Sequence, residues 1–177
     1  MPTIVSHPAV AIGLRRWFGR VPGEVLAAGV ITSILPDVDV LGLFAGIDYG
    51  STFGHRGFTH SIVFAMLAGI AGVLVLRNRG NDRTDSHDPP MRTSAMFAFL
   101  FLTTLSHPLL DAMTNGGRGI AFFSPFSNHR YFFPWHPIPV SPIGRLDLSV
   151  VQAEILWVWL PCLVLAAIGA IFRSLKR

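Results

Sequence analysis

Three apolar stretches, each about as long as a membrane-spanning helix, place the strongest constraint on the fold. They run over Phe58–Leu76, Thr93–Asp111 and Leu148–Phe172, and about 20 residues of α-helix cross the hydrocarbon core of a bilayer. The composition points the same way, because only 14% of the residues are charged, whereas a soluble domain usually has about 25%. The sequence therefore predicts an integral membrane protein of the all-α class.

Two further helices are predicted near the N-terminus. One runs from Pro8 to about Trp17 and the other over Glu24–Leu35, with the turn-forming residues Val21–Gly23 between them. A connection this short allows the two helices to form an antiparallel hairpin. The expected architecture is a single domain over residues 1–177, built as a helical bundle with about four or five membrane-embedded helices.

The distribution of Lys and Arg predicts the orientation in the membrane. These residues lie in short clusters beside the apolar stretches, so the net charge of +4 is interpreted as a topology signal and no nucleic-acid partner is expected. Antiparallel spans place ten of the 14 Lys and Arg residues on the side of the polar loop 77–92 and four on the side of the aromatic connection 114–149. By the positive-inside rule, the loop is predicted to be cytoplasmic and the connection extracytoplasmic, at the level of the lipid headgroups.

His107 and Asp111 are the polar residues that most need an explanation. They stand four residues apart in an apolar stretch, so on a helix they share one face. An aspartate at the centre of a membrane helix costs roughly 2.5–3.5 kcal/mol. A divalent cation held between the imidazole and the carboxylate would offset that cost. The alternative is a helix end at which Asp111 simply reaches water.

A second candidate group lies where the chain enters the stretch that follows residue 57. His55 and His60 are five residues apart, with Arg56 between them, and two such histidines do not share a helical face. His60 suits a metal ligand, whereas His55 suits either a ligand or an acid–base group. The planar guanidinium of Arg56 could hold a phosphate or a carboxylate. The alternative is an interfacial loop with solvated histidines.

Asp37 and Asp39 follow the second predicted helix, directly after Pro36. Carboxylates in such an apolar setting can ligate a metal or orient a ligating histidine from behind, and only one of the two need face the site. The alternative is a turn whose acids are solvated. If the first two helices form a hairpin, His7 and Asp37 lie at the same end of it.

Span lengths bring these residues to one depth. At about 1.5 Å per residue, His60 and the His107–Asp111 pair lie at similar distances from loop 77–92, and the N-terminal hairpin adds His7 and Asp37. Imidazole with carboxylate suits zinc, with manganese or iron as alternatives. One or two ions are expected, and a metal-activated water would support hydrolysis.

Three other ionisable residues have less defined expectations. His129 and His136 lie in the aromatic connection, where a solvated position is favoured. Glu154 lies near the start of the last span. It is expected to pair either with an arginine such as Arg145 or with the metal cluster.

The order and spacing of the polar motifs resemble those of the YdjM-like family, inner-membrane metal-dependent hydrolases of which some are LexA-regulated. The matching motifs are Ser6-His7-Pro8, Leu35-Pro36-Asp37-Val38-Asp39, the segment His55–Ser61, and Ser106-His107-Pro108-Leu109-Leu110-Asp111 with Thr114-Asn115-Gly116. That family is distantly similar to the zinc-dependent phospholipase C and single-strand nuclease superfamily, an all-helical fold with clustered zinc ions.

The resemblance implies a ligand set and a compartment. Asp37, His60, His107 and Asp111 would surround one metal, and His7 with a shared Asp111 would face a second. No His-x-x-x-Glu motif follows His107, so the third zinc of the superfamily is not expected. A multi-pass protein of a bacterial inner membrane is implied, and the count of Lys and Arg predicts that the site lies on the extracytoplasmic side.

The sequence thus leads to a functional hypothesis with two rivals. The protein is predicted to be a membrane-bound hydrolase that cleaves a phosphoester bond in a lipid or lipid-linked substrate. Asp39 and His55 would take part in catalysis, and Arg56 would hold the phosphate. The first rival is a metal-ion or proton carrier, whose site usually lies near the bilayer midplane. The second is a non-catalytic membrane protein with a structural metal.

Overall fold

The computed structural model describes residues 2–81, 91–140 and 147–175, and the structured elements within these ranges are helical. The α-helices are α1 (Pro8–Leu14), α2 (Gly23–Ile34), α3 (Val40–Phe44), α4 (Ile62–Asn81), α5 (Thr93–Ala112), α6 (Leu148–Glu154) and α7 (Leu160–Ser174). Two 3-10 turns (Leu35–Asp39 and Phe58–His60) and one π-helical segment (Ile155–Trp159) connect them. The all-α prediction is confirmed, and the phospholipase C-like core stays a prediction.

Four helical stretches are long and apolar enough to cross a membrane. They cover Gly23–Phe44, Ile62–Arg79, Thr93–Ala112 and Leu148–Ser174. No more than 44% of any of these stretches is buried inside the protein, so much of their apolar surface faces outward, as lipid contact requires. The predicted number of membrane-embedded helices is confirmed.

The first helix is shorter than the sequence predicts. α1 ends at Leu14 and not near Trp17, because the chain turns there to lay Trp17 against the last helix. The Trp17 indole donates a hydrogen bond to the carbonyl of Leu165, 2.9 Å away. With seven residues, α1 is too short to cross a bilayer.

Close packing of α2 against α5 sets the position of the candidate site. Phe99 of α5 lies against the backbone of α2 at Gly29, where a β-carbon added to the glycine would come within 2.6 Å of the Phe99 ring. The buried core around this contact consists of Ala11, Val21, Val25, Val73, Met96, Phe99 and Leu100. The C-terminal ends of α2 and α5 are therefore held side by side.

The two ends of the bundle differ in chemistry. At the arginine-rich end, the Arg77 guanidinium donates to the Thr93 hydroxyl across the α4–α5 connection, at 2.6 Å. Residues 82–90 of the predicted cytoplasmic loop lie outside the described residues. At the opposite end, residues 114–140 of the aromatic connection fold back over the helix ends. The amide of Phe133 donates to the carbonyl of Ala112, and that of Ile62 to Phe122, both at 3.0 Å.

Glu154 ties the N-terminal segment to the last span. Its buried carboxylate accepts hydrogen bonds from the backbone amide and hydroxyl of Thr3 and from the Ser6 hydroxyl. Among the described residues these donors, and not the metal cluster, are the partners of Glu154; the expected pairing with Arg145 lies outside the described residues. The π-helical segment begins directly after Glu154. The clasp places His7 over the end of α5.

We expect Glu154→Ala to loosen the N-terminal segment, because three donors would lose one buried acceptor. Loss of a buried partner costs about 1–3 kcal/mol for each unsatisfied group. Hydrogen exchange measured by mass spectrometry should show faster exchange over residues 2–7. The matched control is Gln152→Ala, at an exposed position in the same helix. Equal exchange in the two variants would refute the clasp.

Candidate metal centre

Four side chains from three separate parts of the chain meet at one buried point. Asp37 comes from the turn after α2, His60 from the turn before α4, and His107 and Asp111 from the last turns of α5. One ligand atom from each lies within 4.8 Å of the other three. Asp37 is half-buried, and the other three residues have essentially no exposed surface.

The spacing of the four atoms fits a small metal ion. Asp37 Oδ1 lies 3.7 Å from His60 Nε2 and 3.3 Å from His107 Nε2. Asp111 Oδ2 lies 3.4 Å from His60 Nε2 and 3.9 Å from His107 Nε2. Ligand atoms about 2.0–2.2 Å from a tetrahedral centre would lie about 3.3–3.6 Å apart. The observed separations are at or slightly above that range.

The local sequence explains how the ligands reach this point. Pro36 lacks the amide that would continue α2 and suits the start of a new turn, and the chain tightens into the 3-10 turn Leu35–Asp39. Asp37 thereby enters the four-residue group, while Asp39 contacts the loop that carries His55. In α5, the spacing of His107 and Asp111 places both on one face, as the sequence predicts.

Unsatisfied polar atoms provide the test of whether a metal fits. Both carboxylate oxygens of Asp37 and of Asp111, and the Nε2 atoms of His60 and His107, are buried without a hydrogen-bond partner among the described residues. Buried polar groups in proteins are nearly always partnered. Six such atoms in one cluster match the donor set of a divalent metal site.

One ring nitrogen of His60 and one of His107 already have a protein partner. His107 Nδ1 lies 2.8 Å from the carbonyl oxygen of Ser33, and a carbonyl only accepts, so Nδ1 carries the proton. His60 Nδ1 lies 3.1 Å from Asp39 Oδ2, in the carboxylate–histidine arrangement that supports metal ligands. In both residues, Nε2 is the nitrogen that faces the cluster.

Asp39 connects the cluster to a neighbouring histidine. Its Oδ1 lies 2.6 Å from His55 Nδ1, and its Oδ2 accepts hydrogen bonds from the amide of Arg56 and the hydroxyl of Thr59. Asp39, His55 and His60 could also hold a metal by proximity alone. We assign hydrogen bonds to this group because the two histidine nitrogens lie at hydrogen-bond distances from the carboxylate.

Arg56 connects Asp111 of the cluster to the segment that follows α5. Its side chain is 1% exposed, with Nη1 donating to the Gly116 carbonyl, Nη2 to the Thr114 hydroxyl, and Nε 3.3 Å from Asp111 Oδ2. Its backbone has a φ of +64°, a region that costs a non-glycine residue energy. The guanidinium expected to hold a phosphate is thus surrounded by protein oxygens.

His7 lies beside the four-residue group. Its ring stacks on that of His107, with centroids 3.7 Å apart, and neither of its nitrogens has a hydrogen-bond partner among the described residues. Burial and the nearby His107 lower the pKa of His7 to about 3, so the ring is neutral. A neutral imidazole with a free lone pair is able to ligate a metal.

Two predicted surface histidines lie away from the cluster. His129 and His136 are exposed and pack against Tyr131 and Phe132, respectively. Sequence reasoning missed the supporting roles of Ser33, Thr59 and Thr114. Thr59 and Thr114 lie within the motifs shared with the YdjM-like family, which is the one signal that could have indicated them. Ser33 lies outside those motifs.

We expect metal affinity to rise with pH between about pH 6 and pH 8. Burial disfavours a charged His60, but the carboxylates of Asp111, Asp37 and Asp39 outweigh it and raise the pKa of His60 well above its ordinary value. The metal-free protein therefore keeps a proton on this imidazole at neutral pH, and metal must displace it from Nε2. Titrations in buffers of different pH would measure the slope, and a flat profile would contradict the assigned ligand.

Comparisons with known proteins agree with the resemblance noted in the sequence. The family model described as YdjM inner membrane protein matches residues 1–177. Inner membrane protein YbcI of Escherichia coli (strain K12) is 39% identical over 175 residues, which cover 93% of this chain and 95% of that protein. No solved structure shows a significant match. The chain therefore belongs to the YdjM inner membrane protein family.

Proposed function

We propose that this inner-membrane protein is a metal-dependent hydrolase acting on a phosphoester bond in a lipid or lipid-linked substrate. One observation carries the proposal. The unpartnered Nε2 and carboxylate oxygen atoms of Asp37, His60, His107 and Asp111 lie at the spacing of a metal coordination sphere. The apolar outer surface of the spans allows a substrate to arrive from the bilayer.

The donor set suggests zinc, with manganese or iron as alternatives. The four residues named above would hold the first ion. Asp37 and Asp111 each retain a second unpartnered oxygen, and His7 retains both of its nitrogens. These atoms would serve a second ion, in which case the two carboxylates would be shared. When bound, such an ion supplies Lewis-acid chemistry to a phosphoester and its attacking water.

The Asp39–His55 pair would handle protons. His55 donates its Nδ1 proton to the Asp39 carboxylate, which fixes the tautomer and leaves Nε2 able to accept or donate a proton. The rings of His55 and His60 are 5.5 Å apart, so the pair borders the cluster. We propose that Arg56 positions Asp111 instead of holding the substrate, because its guanidinium contacts Gly116, Thr114 and Asp111.

A structural metal is the second candidate function. Four protein ligands complete a tetrahedral sphere, which is typical of structural zinc, whereas catalytic zinc usually has three protein ligands and an open position. The burial of His60, His107 and Asp111 favours such a closed site. A carrier is less favoured, because the cluster lies at the ends of α2 and α5 and not near the midplane.

Metal analysis combined with an activity screen tests the proposal. Elemental analysis of the purified full chain should find one or two divalent ions per molecule, and a phospholipid and phosphodiester panel should reveal turnover. We expect His55→Ala to keep the metal and to lose about 100-fold in turnover, as for loss of a general acid–base group. His136→Ala, at an exposed histidine, is the control. Full metal content without hydrolysis of any panel member would favour the structural metal.

We also propose that the cluster faces the extracytoplasmic side, as the count of Lys and Arg predicts. A variant with His136→Cys and Cys162→Ser carries one exposed thiol on the aromatic connection. An impermeant maleimide should label it when added to spheroplasts that keep their inner membrane intact. Labelling only after that membrane is broken would show that the cluster faces the cytoplasm.

A further inference from the structure

Two arginines flank one tyrosine just outside the candidate metal centre. The guanidinium carbons of Arg118 and Arg130 each lie 5.4 Å from the centroid of the Tyr49 ring. Contacts of this kind are cation–π interactions, which fix the position of a guanidinium without using its hydrogen-bond donors. We call these three residues the arginine–tyrosine stack.

The two arginines of the stack are used differently. Arg130 is half-buried and donates to the backbone carbonyls of His55 and Tyr49, at 3.0 and 2.9 Å. Arg118 is exposed, and its guanidinium has no hydrogen bond and no carboxylate partner within the described parts of the chain. Arg130 therefore serves as the anchor, and Arg118 has its donors available.

Positive charge is concentrated around the stack. Burial lowers the pKa of Arg130; Tyr49 and Asp39 oppose this shift, whereas the nearby charges of Arg118 and Arg56 add to it. The nearby carboxylates are already engaged. Asp48, next to Tyr49, accepts a hydrogen bond from the Gly50 amide, and Asp39 and Asp111 contact the histidines and Arg56. Positive charges that share one aromatic ring are stabilised when an anion lies between or beside them.

The surroundings of the stack place it at a membrane surface. Arg118 and Arg130 belong to the aromatic connection. The same connection exposes several large rings (Phe123, Phe126, Phe132, Phe133 and Trp135). Exposed aromatic residues beside apolar spans are typical of the headgroup level of a bilayer. Lipid headgroups carry phosphate groups at this depth.

We propose that the arginine–tyrosine stack is a binding site for the phosphate of an anionic phospholipid, separate from the metal centre. Arg118 provides the planar pair of N–H donors that matches two phosphate oxygens, and Tyr49 and Arg130 hold it in place. The stack contacts the surroundings of the metal cluster through His55, by the ring contact of Tyr49 at 5.3 Å and the Arg130 hydrogen bond to the His55 carbonyl, and the His55 ring lies 5.5 Å from that of His60. Arg118 itself has no ion pair with Asp37 or Asp111 within the described residues, so we assign its phosphate to a site distinct from the metal centre.

Lipid titration of the full chain tests this site without any catalytic reaction. Short-chain phosphatidylglycerol and phosphatidylcholine are titrated into detergent-solubilised protein, and binding is followed by native mass spectrometry. We expect preferential binding of phosphatidylglycerol, and a loss of about tenfold or more in Arg118→Gln, as for one charge-assisted hydrogen bond. The matched control is Arg79→Gln, which removes the same charge from an exposed position at the arginine-rich end.

Each result decides the proposal. Weaker phosphatidylglycerol binding in Arg118→Gln but not in Arg79→Gln, with metal content unchanged, supports a lipid phosphate site independent of the metal centre. Equal binding of the two lipids, or an equal loss in both arginine variants, overturns it. Inorganic phosphate that competes as strongly as phosphatidylglycerol would identify a site for free phosphate and overturn the lipid assignment. A missing metal in the wild-type protein would refute the proposed hydrolase without affecting this binding assay.

Discussion

Replacing His107 with alanine is expected to abolish metal binding and any hydrolytic activity that depends on it. The variant removes one of four ligand atoms and also the ring on which His7 stacks. Loss of a supporting group around a metal already lowers affinity by about 10- to 100-fold, so loss of a ligand should exceed 100-fold. Elemental analysis after dialysis should find a small fraction of the wild-type metal content.

The control for this experiment must separate metal loss from misfolding. His136→Ala removes an exposed histidine and should leave metal content unchanged. His107→Gln keeps a polar side chain of similar size and should preserve the helical circular dichroism spectrum while still losing the metal. Wild-type metal content in both His107 variants would show that the cluster is not the metal site.

Of the substitutions proposed, Arg56→Ala should lower the free energy of unfolding the most. The substitution removes a buried guanidinium that contacts Asp111, Thr114 and Gly116. Breaking a buried ion pair from one side costs about 3–5 kcal/mol. For a chain of this size, 1 kcal/mol corresponds to about 2–4 °C. The melting temperature in detergent should therefore fall by about 6–20 °C.

The same measurement on Arg79→Ala provides the comparison, because that arginine is exposed at the other end of the bundle. Surface substitutions usually change stability by less than about 0.5 kcal/mol. A shift in Arg56→Ala no larger than that of Arg79→Ala would show that the Arg56 contacts are dispensable. The positive φ at Arg56 makes Arg56→Gly a useful third variant, since glycine relieves the backbone strain but still lacks the guanidinium.

Much of the architecture could be predicted because membrane spans have a simple physical signature. The lengths of the apolar stretches fix how far apart their ends lie, and this alone placed His60, His107 and Asp111 at one depth. The four-residue spacing of His107 and Asp111 fixed their shared face. The direct contact of Asp37 with two histidines follows from the turn at Pro36, which the sequence also indicates.

The supporting contacts could not be predicted because they depend on backbone groups and on segments distant in sequence. Ser33 takes part through its carbonyl oxygen, which any residue would supply. Glu154 accepts hydrogen bonds from Thr3 and Ser6, which are about 150 residues away in the sequence. The local sequence around these residues does not indicate that contact. Arg56 donates to Gly116 and Thr114 because the segment after α5 folds back towards it. The periodicity of the sequence gives no information about that fold.

The contact between Gly29 and Phe99 has a consequence for the chemistry of the cluster. The ligands on the first long span and those on α5 belong to two rods whose separation is set at this contact. A single added carbon at position 29 would push the two helices apart and increase the distance between the ligand atoms that they carry. We therefore expect Gly29, a residue without a side chain, to influence which ion radius the candidate metal centre accepts.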